Sequence, residues 1–416
     1  MNGGGSMTVL QVNKFGWAKG GAEAAYLGTI ALLENHGHRV VPFSMKDERN
    51  TPSMYSRYFV ENISYDSGGV IPGISAAMKV VYSLDARRKM GALLGEIMPD
   101  IAHLHNFHHQ ISPSVFGPLK SAGVPVVFTV HDLKPMCPNY KMLVNGELCE
   151  RCKGGRFYNC TINRCIKGSA AKSLAGTVEM YFHRIMKYYE DVNIFIAPSS
   201  FMRDKMVEYG FREDRIKVIP NFIDLNAFRP SGPDAGYVLF CGRLSEEKGV
   251  NTLIGAAGIC REISFVVAGA GPLEERLRAS AADMGLDNVR FVGYQTGEAL
   301  VRLYSEARLT VVPSECYENC PVSLLESLAS GKPVVGARIG GIPELIEEGV
   351  DGVTFRPGDP YDLADKLRRL WGAGGAGLKE MGFRARAAAE SRHSPGKHYE
   401  ALMAAYNSVL ERRGRT

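Results

Sequence analysis

The sequence predicts an α/β chain: parallel sheets with helices on both faces. Three observations carry this. Short apolar runs that read as buried strands alternate with stretches of helical period almost throughout. At 416 residues the chain is long enough for two domains. Pro220, Pro230 and Pro233 gather where one such series stops and a second begins, as a linker does.

The bulk numbers narrow the function. Apolar content of 45% is ordinary for a globular protein, and no run of about eighteen apolar residues suggests a membrane span. The opening "MNGGGSM" is uncharged and Gly-rich, unlike a secretory signal, and is read as an added stretch with Met7 the native start. A formal charge of +5 is too mild to argue for nucleic acid. The cysteines number nine, and five of them crowd between Cys137 and Cys165. Without an export signal, such crowding favours a metal site over disulfides.

Taken in order, Thr8 to Asn13 is a first strand, and a helix and a strand from Arg39 complete a β-α-β unit. Gly20 and Gly21 open that helix, where backbone can approach a phosphate closely; the plainer reading is a tight turn. Thr51 to Gly73 has no clear period and is expected to be an acceptor-side loop. A helix with a basic side, Ala76 to Met98, leads to "PDIAHLHNFHHQIS", where His103 and His105 share one strand face. That permits metal binding; the alternative is a strand running into a polar cleft. "VPVVFTVHDL" is a buried strand ending in His131-Asp132, and ligand sites lie off the carboxyl ends of such strands.

The cysteine-rich segment follows. Cys149-x2-Cys152 and Cys160-x4-Cys165 have the spacing of two metal knuckles, with Cys137 a spare. Residues 134–172 hold eight Lys and Arg against two Glu, a local +6. The segment has few apolar residues, so a structural Zn²⁺ on Cys149, Cys152, Cys160 and Cys165 would fold it; disulfides are the rival. Its charge is expected beside His131, helping to dock a lipid-diphosphate-linked acceptor at a membrane face. Lys172 to Tyr189 reads as an amphipathic helix, and "NIFIAPSSFMRDKMVEYGF" as strand, loop and helix.

The second series starts with strand Tyr237 to Phe240. In "CGRLSEEKGVNTLI", Gly242, Arg243 and Lys248 lie between a strand and a helix, a phosphate-compatible place for two cations. "FVVAGAGP" repeats strand and Gly loop, and Tyr294 and Gln295 end the next strand. "PSECYENCPVSLLESLASGKPVV" is the most informative stretch. A strand, Leu309 to Val312, ends in a loop, Pro321 opens a helix, and Gly331 and Pro333 stop it. Glu318 stands in the loop and Glu326 eight residues on. Carboxylates beside an anion site make sense as acceptors for the hydroxyls of ribose or hexose. From Ser394-Pro395 a last helix carries one apolar face: Tyr399, Leu402, Met403, Tyr406, Val409 and Leu410.

The Glu-x7-Glu spacing with "SLLESLASGKPVV" resembles the retaining glycosyltransferases of family 4. The likeness spans nearly all the chain after Met7 and is strongest from Val218 to Pro357. Many bacterial surface-polysaccharide transferases look similar at "HD", "CPN" and the paired cysteines, though that insert is outside the general family pattern. The resemblance implies GT-B: two facing Rossmann-like domains, 1–220 on the acceptor side with the insert at 134–172, and 221–392 for the nucleotide sugar. The last segment, 393–416, would then cross back onto the first domain.

It further implies a donor, with UDP-sugars favoured, lying against Gly20, Gly21, Gly242, Arg243, Lys248, Tyr294, Glu318, Asn319, Cys320, Pro321 and Glu326. Glu326 would hold ribose and Glu318 the sugar, while Arg243 and Lys248 clamp the diphosphate. His131 would lie by the donor sugar, with Asp132 orienting it or meeting an acceptor hydroxyl. In the mechanism favoured for the family the leaving phosphate takes the acceptor's proton, so no protein nucleophile is required. No cofactor is required for catalysis, and the absence of Asp-x-Asp disfavours the metal-dependent fold. The acceptor would be a saccharide or a polyprenyl-diphosphate-linked one, used in surface polysaccharide synthesis. A cytoplasmic site, peripheral at the inner membrane face, is expected. Alternatives are a GT-B phosphorylase, which needs pyridoxal phosphate, and a non-catalytic zinc-and-phosphate module. A nicotinamide enzyme would want G-x-G-x-x-G after the first strand, and "GWAKGG" does not supply it.

Overall fold

The computed structural model describes residues 5–62, 81–109 and 111–413. The later part of the loop expected from Thr51 to Gly73, and the start of the helix expected from Ala76, lie outside these residues. Within the span expected to be helical to Met98, Tyr82 and Ser83 are not helical, and a helix runs Leu84–Glu96 with the Ser83 hydroxyl capping it by accepting from the amide of Ala86.

The first domain contains β1 (Thr8–Val12), β2 (Arg39–Phe43), β3 (Ile101–Leu104) and β4 (Val126–Thr129). A small hairpin in the insert follows, β5 (Leu143–Val144) and β6 (Glu147–Leu148), and then β7 (Ile194–Ala197) and β8 (Ile216–Val218). Among the described residues its sheet has the order 2-1-3-4-7-8, with every pair parallel. The second domain contains β9 (Tyr237–Cys241), β10 (Ser264–Ala268), β11 (Val289–Gly293), β12 (Leu309–Val312), β13 (Val334–Ala337) and β14 (Gly352–Phe355). Its order is 11-10-9-12-13-14, again parallel. Strands such as β4, β12 and β13 are buried at every residue, because helices cover both sheet faces. This is the predicted two-domain α/β architecture, GT-B.

The last helix, Pro395–Arg413, packs back on the first sheet. Leu402, Tyr406 and Val409 lie against Val9, Ile101, Val127 and Ile194. The two chain crossings between domains are tied together. His393 Nδ1 lies 3.0 Å from the carbonyl of Asn221, and His398 Nδ1 2.8 Å from that of Pro220. The amide of Ile223 also donates to the carbonyl of His393 at 3.0 Å.

Two helix boundaries differ from expectation. Pro321 is not the first helical residue but the cap before Val322–Ala329, with φ −66° and ψ 123°. The helix expected from Lys172 to Tyr189 starts earlier and stops earlier, Ala170–Ile185, because Ser169 caps it through the amide of Lys172. Tyr188–Asp191 then form a separate 3₁₀ turn.

Candidate functional site

In each sheet the strand order reverses once, between β1 and β3 and between β9 and β12, and open parallel sheets bind ligands off the strands' carboxyl ends at such a reversal. The loops leaving those strands carry most of the sequence candidates. Gly20 caps the helix Gly21–Asn35. Across the cleft stands the helix Val322–Ala329. A Cβ on Gly21 would lie 3.4 Å from Cγ2 of Val322, so the first residues of two helices, one per domain, meet in van der Waals contact. The positive ends of two dipoles and their free N–H groups therefore converge on one place.

The second-domain loops are locked together by glycine. Gly249 has φ +65°, and a Cβ there would come within 1.8 Å of the carbonyl of Pro313. The amide of Glu315 donates to the carbonyl of Glu247 at 3.0 Å. This brings Lys248 to Glu318, Nζ to Oε1 at 2.5 Å, and Ser314 Oγ donates to the same oxygen at 2.7 Å. Burial alone would lower the Lys248 ammonium, but the Glu318 carboxylate outweighs it and raises it. Gly341 N donates to the carbonyl of Glu318 at 2.7 Å, fixing the loop from the far side. Arg243 is exposed. Gly242 sits at the strand end, its amide bonded to the carbonyl of Ala268 at 3.0 Å.

Glu326 lies deeper, near Cys241 and Tyr304. Burial pushes its carboxyl up to about 7, with the Tyr304 hydroxyl pulling the other way. Burial, and then the Glu326 charge, push the Cys241 thiol up to about 12. Tyr294 is 63% exposed at the end of β11, and the Gln295 side chain donates to the carbonyl of Val292.

Asn319 joins the domains, and Cys320 meets the crossing between them. Asn319 Nδ2 donates to the carbonyl of Val130 at 2.9 Å, and its Oδ1 accepts from Ser199 Oγ at 2.6 Å. The carbonyl of Cys320 accepts from Asn221 Nδ2 at 3.1 Å. Glu344 adds a contact that local pattern did not show: its carboxylate accepts from the amides of Ser200 and Phe201, at the start of the helix Ser200–Glu208.

His131 is held from behind. Its Nε2 is 2.8 Å from His105 Nδ1, and His105 Nε2 is 2.9 Å from Gln11 Oε1. Gln11 Nε2 reaches His103 Nδ1 at 3.4 Å, and His103 also meets Tyr406 Oη and Thr129 Oγ1, both at 2.7 Å. Burial, then repulsion from His398, lowers His131 to about 4, and burial holds His103 and His105 low as well, so all three rings are neutral. With Gln11 Oε1 as acceptor, His105 must donate from Nε2 and accept at Nδ1, which makes His131 the donor at Nε2. His103 and His105 thus form an internal hydrogen-bond chain rather than a metal pair or a cleft lining. Asp132 does not orient His131 either: its Oδ1 accepts from the amide of Lys134 at 2.9 Å. Lys14, just past β1, is a cation that the sequence reading passed over. Burial and Lys19 lower its ammonium, opposed by Glu23 and Asp132. Its signal was a lone Lys directly after the first strand.

The insert is less of a free basic loop than its composition suggests. Lys134 is 2% exposed and paired at 2.7 Å with fully buried Glu179. Lys141 lies 3.1 Å from Glu247, next to Lys248, and Glu150 accepts from Tyr317, next to Glu318, at 2.7 Å. The insert therefore touches the loops that carry Lys248 and Glu318. Cys137, Cys149, Cys152, Cys160 and Cys165 are free thiols around one void of about 10 Å³. Among the described residues, no three of His, Cys, Asp or Glu are placed to hold one metal ion.

Comparison with known proteins agrees with this geometry. Residues 19–227 match the profile described as Glycosyltransferase Family 4, and residues 235–372 that of Glycosyl transferases group 1. The amylovoran biosynthesis glycosyltransferase AmsK of Erwinia amylovora is 32% identical over 233 residues, 53% of this chain and 56% of that protein. The chain spans about half the length of the curated relatives it matches. Among solved structures, Anabaena Alr3699/HepE in complex with UDP and glucose has a TM-score of 0.70 at 19% identity, covering 97% of this chain and all (100%) of that one. The sucrose-phosphate synthase of Thermosynechococcus elongatus gives 0.75 at 18% identity, covering 97% and 99%. These likenesses speak for the fold, and the profile over residues 19–227 speaks for the family: the chain belongs to glycosyltransferase family 4.

Proposed function

We propose that the protein is a retaining glycosyltransferase that moves a hexosyl group from a nucleotide-diphosphate sugar, UDP-linked by preference, to a saccharide or lipid-diphosphate-linked acceptor in surface polysaccharide synthesis. The observation that carries this reading is the contact between Gly21 and Val322, where two helix N-termini converge from opposite domains. Such a place favours a diphosphate. The names of two relatives support the donor and the biosynthetic role: AmsK is an amylovoran biosynthesis glycosyltransferase, and the HepE structure holds UDP and glucose.

In this reading the diphosphate lies between Gly20-Gly21 and the Gly242, Arg243 and Lys248 loop. Glu326 accepts from ribose hydroxyls, Glu318 from the sugar, and Tyr294 stands near the base. As the bond from the anomeric carbon to the phosphate oxygen breaks, negative charge grows on the phosphate and positive charge on the carbon. Arg243, Lys248 and the two helix ends stabilise the first. The acceptor oxygen bonds to the carbon on the same face, and its proton passes to the leaving phosphate. Neutral His131, held at Nε2 by His105, bounds the sugar side.

A structural Zn²⁺ on Cys149, Cys152, Cys160 and Cys165, with Cys137 able to replace one of them, belongs to the same proposal. The support is that all five thiols line one void. As placed they do not ligate, so binding requires their side chains to turn inward.

A thermal-shift screen of nucleotide sugars tests the central reading. A UDP-sugar should raise the melting temperature of the wild type and shift Arg243→Ala much less. No stabilisation by any nucleotide sugar would overturn it. Retention is tested by NMR of the product's anomeric configuration.

A further inference from the structure

We propose that the outer face of the helix Ala170–Ile185 is a docking surface for an anionic lipid bilayer. This goes beyond the proposed reaction and does not depend on it. The helix buries Ser173, Gly176, Thr177, Met180 and His183 against the first domain. Its opposite side shows Leu174, Val178 and Ile185, at 53%, 51% and 75% exposure. The spacing of four and then seven residues puts them on one stripe. The neighbouring short helix extends it. The amide of Tyr158 meets the hydroxyl of Tyr181, and the hydroxyls of Thr161 and Thr177 lie 2.9 Å apart, so the two helices run side by side. Tyr158 and Ile162 on that helix are 50% and 70% exposed. Five large apolar side chains thus share one open surface, where a surface helix normally presents charge.

The charge around the stripe names the occupant. Residues 151–187 contain eight Lys and Arg against one acid, Glu179, which is buried on Lys134; Lys153 and Lys187 pair with Glu208 and Glu190 from outside the segment. Arg156, Arg164, Lys172 and Arg184 are exposed. An apolar stripe within a cationic field is the chemistry of a helix lying in the headgroup layer of an anionic membrane. Each basic residue close to such a surface strengthens partition about five-fold. A second copy of the chain fits less well, since a two-fold contact would set one cationic field against its twin. No helix among the described residues is long and apolar enough to cross a membrane, so the contact is peripheral.

The test is co-sedimentation of the full chain with vesicles of phosphatidylcholine alone or with one-third phosphatidylglycerol. Wild type should bind the anionic vesicles at least ten-fold better, and 0.5 M salt should weaken that binding. Leu174→Glu with Ile185→Glu should lower it ten-fold or more. Arg164→Glu with Lys172→Glu should do the same while leaving the stripe intact, and circular dichroism checks that both variants fold. Equal sedimentation of wild type and both variants overturns the proposal. So does a stable dimer in light scattering that Leu174→Glu with Ile185→Glu converts to monomer.

Discussion

Lys248 Nζ lies 2.5 Å from Glu318 Oε1, so the cation assigned to the diphosphate and the carboxylate assigned to the sugar are paired with each other. Holding the pair ready keeps either charge from being stranded in a half-buried place.

Arg243→Ala and Lys248→Ala should each lower turnover by about 10²–10³. Arg243 is exposed, so its removal should leave thermal stability unchanged. Single-turnover transfer is the measurement, and near-normal rates in both variants would take the clamp out of the mechanism.

Glu326 gives donor binding a pH dependence. Its carboxyl is raised to about 7, so the free protein holds a proton there at lower pH. Ribose hydroxyls need the ionised form, and binding below that pH must release the proton. Affinity for a UDP-sugar, whose esterified diphosphate does not titrate in this range, should plateau above about pH 7 and fall towards ten-fold per unit below it. Glu326→Gln should bind more weakly and lose this slope. Calorimetry in two buffers of different ionisation heat reads both affinity and proton release, and a flat profile in the wild type sinks the assignment.

The Lys134–Glu179 pair makes a sharper stability prediction. Both groups are almost wholly buried, so Lys134→Met removes the nearer cation from the carboxylate, leaving it His109 at 3.4 Å, and should cost about 3–5 kcal/mol in urea unfolding. Lys134→Met with Glu179→Met should recover most of that loss. If the single variant costs less than about 1 kcal/mol, the carboxylate has found another partner.

For the thiol cluster, protein purified without added metal should carry close to one equivalent of zinc. Cys152→Ser combined with Cys160→Ser should lose it, since Cys137 can replace only one of them, whereas Cys137→Ser should keep it. A content below a tenth of an equivalent, with disulfides found by mass spectrometry, would falsify the zinc assignment.

The alternation of strand and helix, and the strand, loop and helix that carry Glu318 and Glu326, were legible because each is a local pattern. The partners of those residues were not. Lys134 and Glu179 are 45 positions apart, and Tyr406 is 303 from His103. No periodicity relates positions that only the folded chain brings together. Lys134 therefore read as a surface cation, and His103 as a cleft residue. The stripe Leu174, Val178 and Ile185 shows the opposite failure. Its spacing correctly gave an amphipathic helix, but a helical pattern cannot say whether its apolar side meets a core or faces outward.

The lacing of the two crossings also governs how the domains can move. A single flexible connection would let one domain swing, twist and slide against the other. Here Asn221 and Pro220 on the outgoing segment are bonded to His393 and His398 on the returning one. Twisting or sliding would shear these bonds, whereas a swing about the line they define leaves them intact. The contacts that Asn319, Glu344, Lys141 and Tyr317 make between the domains are the ones such a swing would part.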